Sequence, residues 1–578
     1  MSSLILGKAW HYSKMDQRLV AHLAEKASIP EVVARILAIR GINTPEAVSD
    51  FLDPSLSSLS DPWKMADMDK AVDRLVETVN KKEKVAVFGD YDADGVTATA
   101  VLYQFLSELH LDPMVHIPHR EHEGYGLNAE AIKKLASKGC TLLITVDCGI
   151  SGHEEVELAR DMGIDVIVTD HHEVSQPLPK ALAVINPKRP DCDFPFKGLA
   201  GVGVAFNLVR ALRARLYRMG FWKNEEVPNL KEYLDLVAIG TIADVMPLHG
   251  DNRILTRAGL EVLDRGQRPG IYALKMISRI GSPVTTEDIC YRISPRINAA
   301  GRMDHAYEAF RLLVEDNETR AFNLAQGLQR LNQDRQNEEA EILKDAKNII
   351  SSMGDRESYV LFNPEWKKGI VGIVAGKLSE QLSKPVILFA LDGDYVHGSG
   401  RSPDAFNLYE ILSECSSFLD SFGGHRVAAG VHLKVKNLKD FSQAFEAHVS
   451  ERAKDIDPTR GITLDFPTQL SEILDPAFQE FYGLLEPFGQ GFRAPLLAIN
   501  DYSLCSASVV GKGHLKLILS ETFSANDRIE LIGWGHGDKV GYMWDDMEIA
   551  CVPLINEWSG RKRLELRLKD ARYREGNL

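Results

Sequence analysis

Paired cysteines and long apolar runs are both missing from this sequence. Seven cysteines are scattered over 578 residues without a CxxC pair. The pattern therefore indicates neither a thiolate zinc site nor a disulfide framework, and we expect reduced, mostly structural thiols. No segment approaches the ~20 apolar residues of a membrane span, and the opening MSSLILGKAWHYSKMDQ has too short an apolar run for a secretory signal. The sequence predicts a cytoplasmic protein without a membrane-spanning segment.

The sequence also lacks an excess of positive charge. Its 82 acidic and 67 basic residues give a formal net charge of -15 at pH 7, which repels a polyanion at long range. Any binding of nucleic acid must then depend on a local basic groove. The surplus carboxylates can themselves be functional, because clustered carboxylates are what divalent cations require.

Neither an internal repeat nor a low-complexity tract interrupts the chain. Hydrophobic residues make up 44% and charged residues 26%, which is the balance of a soluble globular protein. A chain of this length exceeds a single hydrophobic core, and at the usual ~100–200 residues per domain we expect about three or four domains.

Between about Met65 and Asp170, amphipathic helical segments alternate with short apolar strands. The strand-like segments are KVAVFGD, MVHIPH, TLLITVDCG and DVIVTDHH. Strands separated by helix-length segments imply right-handed crossovers and a parallel sheet. The sequence thus predicts an α/β domain built on parallel strands.

The rest of the chain changes character twice. From about Asn317 to Ser352 it is polar, charged and free of proline, with helical spacing, which predicts one long helix. This is either a solvated surface helix or, as we favour, a connector between domains, because new α/β signals begin on its far side and continue to about Arg452. The last part contains short alternating segments spaced by turns, which are typical of a small barrel or sandwich.

Acidic and imidazole side chains follow three of the predicted strands at their carboxyl ends. Because ligands of open α/β sheets bind in the crevice outside those ends, we expect the three clusters to converge. They are Asp90, Asp92 and Asp94 in VFGDYDADG, Asp147 in ITVDCG, and Asp170, His171 and His172 in IVTDHH. A single Asp at such a position is usually a turn residue or a helix cap, but three clusters in register favour a site.

The run DYDADG also fits the start of a calcium-binding EF-hand loop, with Asp90 at the first position and Gly95 at the sixth. The twelfth position would be Val101, where an EF-hand needs a bidentate Glu, and the run follows a predicted strand rather than a helix. We therefore favour a metal site at the strand ends.

Carboxylates with imidazole and no thiolate suit Mg²⁺ or Mn²⁺ better than Zn²⁺. A carboxylate that bridges two such ions would hold them ~3.5–4 Å apart, the spacing used for in-line phosphoryl chemistry. Adjacent side chains on an extended backbone point apart, so we assign His171 to metal and His172 to the phosphate, with Asp170 orienting an imidazole. Asp244 lies in the apolar stretch LVAIGTIADVMPL, where ligation would remove the cost of an unpaired carboxylate.

Seven motifs occur in a telling order: GDYDADG, VDCGI, the DHH of 170–172, GTIADVMPL, SPRINAAGRM, GSGRS and GGHRVAAG. In this combination the chain resembles the DHH phosphoesterase superfamily and, within it, the RecJ family of single-strand-specific exonucleases, over most of its length. The resemblance implies an α/β fold in which a parallel-sheet DHH domain is joined by a long helix to a smaller α/β DHHA1 domain, with a C-terminal β-barrel of the OB-fold type. The implied domains are an N-terminal helical segment (1–50), the DHH domain (51–315), the connecting helix (316–355), the DHHA1 domain (356–455) and the OB-fold (456–578).

The resemblance also implies roles for individual residues. The implied metal ligands are Asp92, Asp94, Asp147, His171 and Asp244. Asp90 is a supporting carboxylate, and together with Asp170 and His172 it makes up the implied catalytic group. The implied substrate-binding residues are Arg120, Tyr125, Arg296, Asn298 and Arg302 in the first domain, and Ser399, Arg401 and His425 in the DHHA1 module. Arginine suits this role, because its rigid fork grips phosphate oxygens.

Two further features leave alternatives open. The glycine-rich GSGRS and GGHRVAAG are either ordinary turns or places where the backbone approaches a phosphate closely. An OB-fold offers a groove and stacking platforms for single strands. Trp534, Tyr502 and Phe492 could stack on bases there, although we favour core packing for each of them.

The resemblance implies a 5′-to-3′ exonuclease that releases 5′ mononucleotides from single-stranded DNA with two Mg²⁺ or Mn²⁺ ions, in DNA repair and recombination. One rival is a DHH phosphoesterase acting on short oligonucleotides or cyclic dinucleotides, which would not need the added OB-like module. A second rival is a catalytically inactive scaffold, which would have lost ligands that this chain keeps. The implied partners are single-stranded DNA, single-strand binding protein and a RecQ-type helicase, with the chain acting as a monomer.

Overall fold

The computed structural model describes residues 9–174, 177–223, 226–454, 461–521, 524–558 and 561–574. These residues divide into two units, of which one is Arg330–Gly461 and the other contains the described residues on either side of that segment. No helix in the described part of the chain is long and apolar enough to cross a bilayer. All seven cysteines are described and free, as expected for reduced thiols.

The chain begins with a short strand and three helices: β1 (Trp10–Tyr12), α1 (Gln17–Ala27), α2 (Glu31–Ile39) and α3 (Pro45–Leu52). Helix α3 starts where the Thr44 side chain accepts a hydrogen bond from the backbone N–H of Ala47, with Pro45 at the first helical position. Both features favour a helix N-terminus. The buried side chains of these helices belong to the same hydrophobic cluster as those of the C-terminal strands.

The predicted parallel sheet is confirmed. Its strands and the helices between them are α4 (Met68–Lys81), β2 (Val85–Phe88), α5 (Ala93–Glu108), β3 (Met114–His116), α6 (Ala129–Ser137), β4 (Leu142–Val146), α7 (His153–Asp161), β5 (Asp165–Thr169) and β6 (Ala183–Ile185). The order is β3-β2-β4-β5-β6, and every neighbouring pair is parallel. The carboxyl ends of β2, β4 and β5 therefore lie along one edge of the sheet.

Helices follow the sheet, and the last of them runs from this unit into the unit that begins at Arg330. They are α8 (Gly201–Arg218), α9 (Leu234–Ala243), α10 (Gly250–Arg265), α11 (Pro269–Ser278), α12 (Thr286–Asp288), a π-helix (Ile289–Ile293), α13 (Ser294–Met303), α14 (Tyr307–Val314) and α15 (Glu318–Met353). Helix α9 is buried on every side from Leu234 to Ile242, which explains why its sequence is apolar without a period. Helix α15 has 36 residues and confirms the predicted long helix.

The unit Arg330–Gly461 contains a smaller mixed α/β structure after the end of α15. Its elements are β7 (Tyr359–Phe362), α16 (Lys368–Leu382), β8 (Val386–Asp392), β9 (Tyr395–Arg401), α17 (Leu408–Glu414), β10 (Ser421–Gly424), β11 (Ala428–Lys434) and α18 (Leu438–Ala453). The sheet order is β10-β11-β9-β8-β7, in which β7 and β8 are parallel and the other pairs antiparallel. The predicted second α/β domain is thus confirmed.

The last part of the chain is mostly strand. It contains β12 (Ile462–Leu464), β13 (Phe466–Thr468), α19 (Leu470–Leu474), α20 (Pro476–Leu485), β14 (Leu497–Ile499), β15 (Tyr502–Val510), β16 (His514–Glu521), β17 (Ser524–Gly533), β18 (Met547–Trp558) and β19 (Arg561–Tyr573). Seven of these strands form one sheet in the order β13-β14-β18-β19-β17-β16-β15, called here the C-terminal sheet. Strand β12 instead pairs with β1.

The three aromatic residues considered as base-stacking candidates, Tyr502, Phe492 and Trp534, differ in burial. Tyr502 and Phe492 are 3% and 2% exposed and belong to the core, as favoured from the sequence. Trp534 is 50% exposed, so core packing was the wrong expectation for it. The reason is that β17 ends at Gly533, so Trp534 lies just beyond the strand, where its ring contacts His514 at the surface.

A buried arginine joins the ends of two helices to α10. The guanidinium of Arg253 is 3.5 Å from the centroid of the Phe51 ring and donates hydrogen bonds to the carbonyls of Phe51, Leu484, Leu485 and Glu486. These carbonyls lie at the carboxyl ends of α3 and α20, where the helix dipole is negative. Burial, followed by the neighbouring charge of Arg257, lowers the pKa of Arg253 to about 9.

Candidate metal centre

The loop after β2 carries three aspartates and leads directly into α5. Asp92 is the N-cap of this helix, and its Oδ1 accepts hydrogen bonds from the backbone N–H groups of Asp94 and Gly95, both at 3.0 Å. Gly95 is required at its position, because a Cβ there would lie 2.7 Å from the Asp90 backbone. Asp92 therefore has the helix-capping role of an ordinary strand-end aspartate, and its carboxylate also lies within reach of a shared ion with Asp90 and Asp147.

Asp94 points from the start of α5 to the start of α8. Its carboxylate accepts hydrogen bonds from the backbone N–H groups of Gly201 at 2.6 Å and Val202 at 2.9 Å. Amides at a helix N-terminus favour a negative charge there. Burial nevertheless raises the pKa of Asp94 well above its ordinary value, and repulsion from Asp244 and Asp92 adds to the rise.

Asp147 follows β4 and faces His171. Its backbone has φ of 61°, a left-handed conformation that is costly for a residue other than glycine and is often found at functional sites. His171 Nε2 lies 3.1 Å from Asp147 Oδ1, 3.5 Å from Asp244 Oδ2 and 3.8 Å from Asp94 Oδ2. Three carboxylates from distant parts of the sequence therefore surround one imidazole nitrogen.

The protonation of this cluster suits metal binding. Burial lowers the pKa of His171 to about 4, and the charge of His172 contributes, so the imidazole is neutral and keeps a lone pair for an ion. Burial and repulsion from Asp94 raise the pKa of Asp147 well above its ordinary value, and burial and Asp92 raise that of Asp244 to about 7. Repulsion between buried carboxylates is relieved when a cation lies between them.

Two sets of side chains can each hold an ion. Asp94, His171 and Asp244 form one set, and Asp90, Asp92 and Asp147 form the other, with the ligand atoms of each set within 4.8 Å of one another. Asp147 also belongs to a third set with His171 and His172, so it lies between the first two. Oδ1 of Asp90 and Oδ1 of Asp147 are buried and accept no hydrogen bond. A buried oxygen without a partner is costly, and this oxygen-rich donor set fits two Mg²⁺ or Mn²⁺ ions.

His172 lies beside His171, with the ring centroids 4.5 Å apart. The expectation that the two side chains point apart was therefore wrong, because β5 ends at Thr169 and the chain bends at His172. Nδ1 of His172 faces a buried carboxylate. It lies 2.7 Å from Asp170 Oδ1, and Asp170 also accepts the backbone N–H groups of Ile150, His171 and His172. Burial alone would raise the pKa of Asp170, but these contacts outweigh it and the pKa is lowered. Burial likewise opposes charge on His172, but its hydrogen bond and ion pair with Asp170 raise the pKa of the imidazole. With Nδ1 engaged, Nε2 is left for a substrate.

Four of the five residues predicted in the first domain lie around this centre, and the fifth, Arg296, makes its hydrogen bonds elsewhere. The Tyr125 hydroxyl donates to the carbonyl of Asp147 at 3.2 Å and lies 3.3 Å from His172 Nδ1. The guanidinium of Arg120 lies 5.0 Å from the centroid of the Tyr91 ring. Arg302 follows Gly301, whose backbone packs so closely on Tyr91 that a Cβ on Gly301 would lie 2.6 Å from the Tyr91 carbonyl. On α13, Asn298 Oδ1 accepts from the backbone N–H of Ala93 at 2.8 Å, and Arg296 Nε donates to Gln329 Oε1 at 2.8 Å. Asn298 therefore supports the aspartate loop.

Three predicted residues, Ser399, Arg401 and His425, belong to the unit Arg330–Gly461. Ser399 and Arg401 lie on β9, where the guanidinium of Arg401 donates to Ser399 Oγ at 3.0 Å. Arg401 also lines a cleft of about 530 Å³ between α16 and the start of β11. His425 is exposed in the turn between β10 and β11. The structure thus brings Ser399 and Arg401 together on one strand.

Sequence reasoning missed the two amides that hold Asp94. Gly201 matters twice, because it donates to Asp94 and because a Cβ there would lie 2.6 Å from the Asp147 carboxylate. The available signal was the glycine-containing run LAGVGVAF, since glycine at a helix start allows close approach of an anionic group.

Three family models match the chain. The DHH family N-terminal domain matches residues 84–241, the DHHA1 domain matches residues 355–451, and the RecJ OB domain matches residues 464–570. They follow the order in which the parallel sheet, the smaller α/β structure and the C-terminal sheet occur.

Whole-chain comparisons agree. The single-stranded-DNA-specific exonuclease RecJ of Escherichia coli is 36% identical, over 93% of this chain and 95% of its own length. The protein of the same name from Bacillus subtilis is 35% identical, over 98% of this chain and 71% of its own. The crystal structure of RecJ from Thermus thermophilus in complex with Mn²⁺ has a TM-score of 0.82 and 30% identity, over 98% of this chain and 80% of that one, and a Mg²⁺ complex of the same protein is also similar, with a TM-score of 0.76.

Proposed function

Because the chain belongs to the RecJ family of single-stranded-DNA-specific exonucleases, we propose that it degrades single-stranded DNA from the 5′ end and releases 5′ mononucleotides by metal-dependent hydrolysis. The observation that carries the proposal is the convergence of Asp94, Asp147 and Asp244 on His171, beside the second carboxylate set. Such a cluster has no structural use that would offset the repulsion between its buried carboxylates.

The two sets of side chains would hold two divalent ions. Such ions supply charge neutralisation at the transferring phosphoryl group and lower the pKa of a bound water. The chain's own residues position the substrate. Asp170 fixes the orientation of His172, so the imidazole can donate from Nε2 to a phosphate oxygen. Tyr125 holds the loop after β3 against the backbone of Asp147, and Arg120 lies beside Tyr91, where its guanidinium can take a further phosphate oxygen.

The polarity and products are tested with a uniformly labelled single strand that is blocked at either its 5′ or its 3′ end, first with Mg²⁺ and then with Mn²⁺. We expect mononucleotides from the 3′-blocked strand and none from the 5′-blocked strand. Release of products from the 5′-blocked strand would contradict the polarity, and production of internal fragments would contradict an exonuclease.

The site assignment is tested with Asp147→Ala. Removing the carboxylate between the two sets is expected to abolish cleavage while binding of a single strand remains measurable. The matched control is Asp161→Ala, because the Asp161 side chain is 73% exposed at the end of α7 and is expected to be without effect. Retained nuclease activity in the Asp147 variant would remove the basis of the assignment.

We further propose that the enzyme works as a cytoplasmic monomer, beside single-strand binding protein and downstream of a RecQ-type helicase. The support is the family and the chemistry of the substrate, since an exonuclease specific for single strands requires another activity to unwind a duplex. Light scattering tests the monomer, and digestion of a blunt duplex with and without helicase tests the coupling. Equal digestion in both reactions would contradict the proposed dependence.

A further inference from the structure

The loop 117–128, called here the Arg120 loop, joins β3 to α6 and carries two of the predicted substrate-binding residues, Arg120 and Tyr125. All of its residues are described, and none lies in a helix or strand. Loops of roughly this length without secondary structure are uncommon and usually functional. Ordering such a backbone costs conformational entropy at every residue. The positions of Arg120 and Tyr125 therefore depend on what holds the loop.

One carboxylate, that of Glu123, holds the loop from inside. Its Oε2 lies 2.8 Å from His116 Nε2 and accepts from the Asn128 side chain at 3.1 Å, while Oε1 accepts the backbone N–H of His119 at 2.9 Å. His116 ends β3 and Asn128 is the N-cap of α6. The three partners thus belong to the strand before the loop, the turn inside it and the helix after it.

Glu123 is ionised in this setting. Burial opposes its charge, but the hydrogen bonds from His119 and His116 outweigh burial and lower the pKa of the carboxyl. A carboxylate only accepts hydrogen bonds, so Nε2 of His116 carries the proton between them. Hydrogen bonds to an ionised group are roughly twice as strong as neutral ones, which makes Glu123 the principal internal contact of the Arg120 loop.

His116 connects Glu123 to the aspartate loop. The His116 ring stacks on Phe88 with the centroids 5.0 Å apart, and its carbonyl accepts the backbone N–H of Gly89 at 3.0 Å. The aspartate loop begins directly after these two residues. The carboxylate of Glu123 therefore sets the distance between the Arg120 loop and the strand end from which metal ligands project.

The outer part of the Arg120 loop packs on the connection between α13 and α14. The rings of His119 and His122 stack with the centroids 4.3 Å apart, and the ring of His305 meets His119 at 5.7 Å and 86°. His305 follows α13, the helix that supports the aspartate loop through Asn298. The Arg120 loop is thus held against two elements that also contact the aspartate loop.

The side chain of Arg120 is placed by stacking. Its guanidinium lies over the ring of Tyr91, the residue between Asp90 and Asp92. Stacking on a ring leaves the N–H donors at the edge of a guanidinium for an anion. Tyr125 is 48% exposed. Both side chains therefore depend on an ordered loop backbone for their positions beside the metal centre.

We propose that Glu123 is a positioning residue for the nuclease reaction. It orders the Arg120 loop in the free enzyme, so that Arg120 and Tyr125 stand beside the metal centre before a strand binds. Binding of the strand then does not have to supply the free energy of ordering the loop. The inference rests on the proposed function for the nature of the substrate, and it assigns to Glu123 itself no contact with DNA or metal.

The first test is steady-state hydrolysis of a labelled single strand by Glu123→Ala at saturating Mn²⁺. The variant loses all three contacts, and we expect KM to rise by up to ~100-fold, which is what misplacement of a binding group by about 1 Å can cost. The Mn²⁺ concentration for half-maximal activity should not change, because β2 pairs with a strand on each side and keeps the metal ligands in place.

Two variants of the same loop are the controls. Glu123→Gln keeps the shape and the acceptor for His119 but presents an amide N–H₂ to His116 and Asn128, so its loss should be smaller. Glu121→Ala removes an exposed carboxylate from the same loop and should behave like the parent protein.

A double-mutant cycle separates positioning from a general structural role. In the background Arg120→Ala/Tyr125→Phe the groups through which Glu123 acts are already removed, so Glu123→Ala is expected to lower kcat/KM little further. Losses at independent sites would instead multiply to within about twofold. A loss of folded enzyme would lower kcat and leave KM unchanged in every background. The cycle is repeated with strand affinity, measured by fluorescence anisotropy in EDTA.

Three results would overturn the proposal. They are an unchanged KM in Glu123→Ala, losses that multiply in the cycle, and a rise in the Mn²⁺ requirement that matches the loss of kcat/KM, which would place Glu123 behind the metal ligands. Should Glu123→Ala not fold, Glu123→Gln takes its place in the same comparisons. Failure of the parent protein to cleave any strand would instead refute the proposed function, while the anisotropy cycle would still decide whether Glu123 acts through Arg120 and Tyr125.

Discussion

Gly201→Ala tests whether the metal centre depends on close packing between α8 and the strand-end carboxylates. The added Cβ would lie 2.6 Å from both Cβ and Oδ1 of Asp147. Carbon and its neighbours need about 3.5 Å, so the carboxylate and the helix must separate by roughly 1 Å. The backbone N–H that Gly201 donates to Asp94 moves with the helix. One substitution therefore disturbs a ligand from each of the two sets.

The expected magnitudes follow from that displacement. Overpacking of this kind costs about 1–3 kcal/mol of folding free energy. Loss of the supporting geometry around metal ligands typically costs ~10–100-fold in metal affinity or activity, and a misplacement of about 1 Å can cost ~100-fold in rate. We expect the Mn²⁺ concentration for half-maximal activity to rise by one to two orders of magnitude, with activity partly restored at high Mn²⁺.

The assay is nuclease activity against Mn²⁺ concentration, with thermal unfolding followed in EDTA and in Mn²⁺. The control is Gly327→Ala on α15, where a Cβ meets nothing within 4 Å and alanine is expected to stabilise the helix slightly. Equal Mn²⁺ dependence and equal unfolding midpoints for the Gly201 variant and the parent protein would refute the packing argument.

Two further predictions concern stability. Arg253→Met leaves the carbonyl ends of α3 and α20 without their hydrogen-bond donor, so we expect the free energy of unfolding, measured with denaturant, to fall by about 3–5 kcal/mol. The control Arg311→Met at the surface should change that free energy by less than about 0.5 kcal/mol. Similar losses in the two variants would contradict the role of Arg253. The second prediction is that the metal-free protein loses stability as pH rises. Burial and mutual repulsion raise the folded-state pKa values of Asp94, Asp147 and Asp244, the last to about 7. The contribution of these carboxyl groups to stability is therefore present at low pH and is lost as pH rises through those pKa values. Mn²⁺ should therefore raise the unfolding midpoint more at about pH 8 than at about pH 5, and an equal or opposite pH dependence would show that these carboxylates are not the ligands.

The parallel sheet and the long helix were predictable because their signals are local. Each strand of the sheet is a short apolar run followed by a helix-length amphipathic segment. Strands joined by helical crossovers run parallel, so their carboxyl ends lie at the same edge of the sheet. The positions of Asp90, Asp147 and Asp170 at one sheet edge follow from that topology. Periodicity thus decided the fold and where the site would be sought.

Packing between segments that are distant in sequence decided the contacts of the individual side chains. The amides that hold Asp94 come from residues more than 100 positions away, Trp534 lies at the surface because β17 ends one residue earlier, and Arg253 finds its acceptors at the ends of two helices that the sequence places far from it. The hydrophobic period of a strand or helix indicates which of its side chains share a face. It does not indicate which other element packs against that face. The sequence by itself determined the elements, their order and the chemistry of the ligands, whereas only the tertiary structure decided which donors, neighbours and solvent each of those side chains encounters.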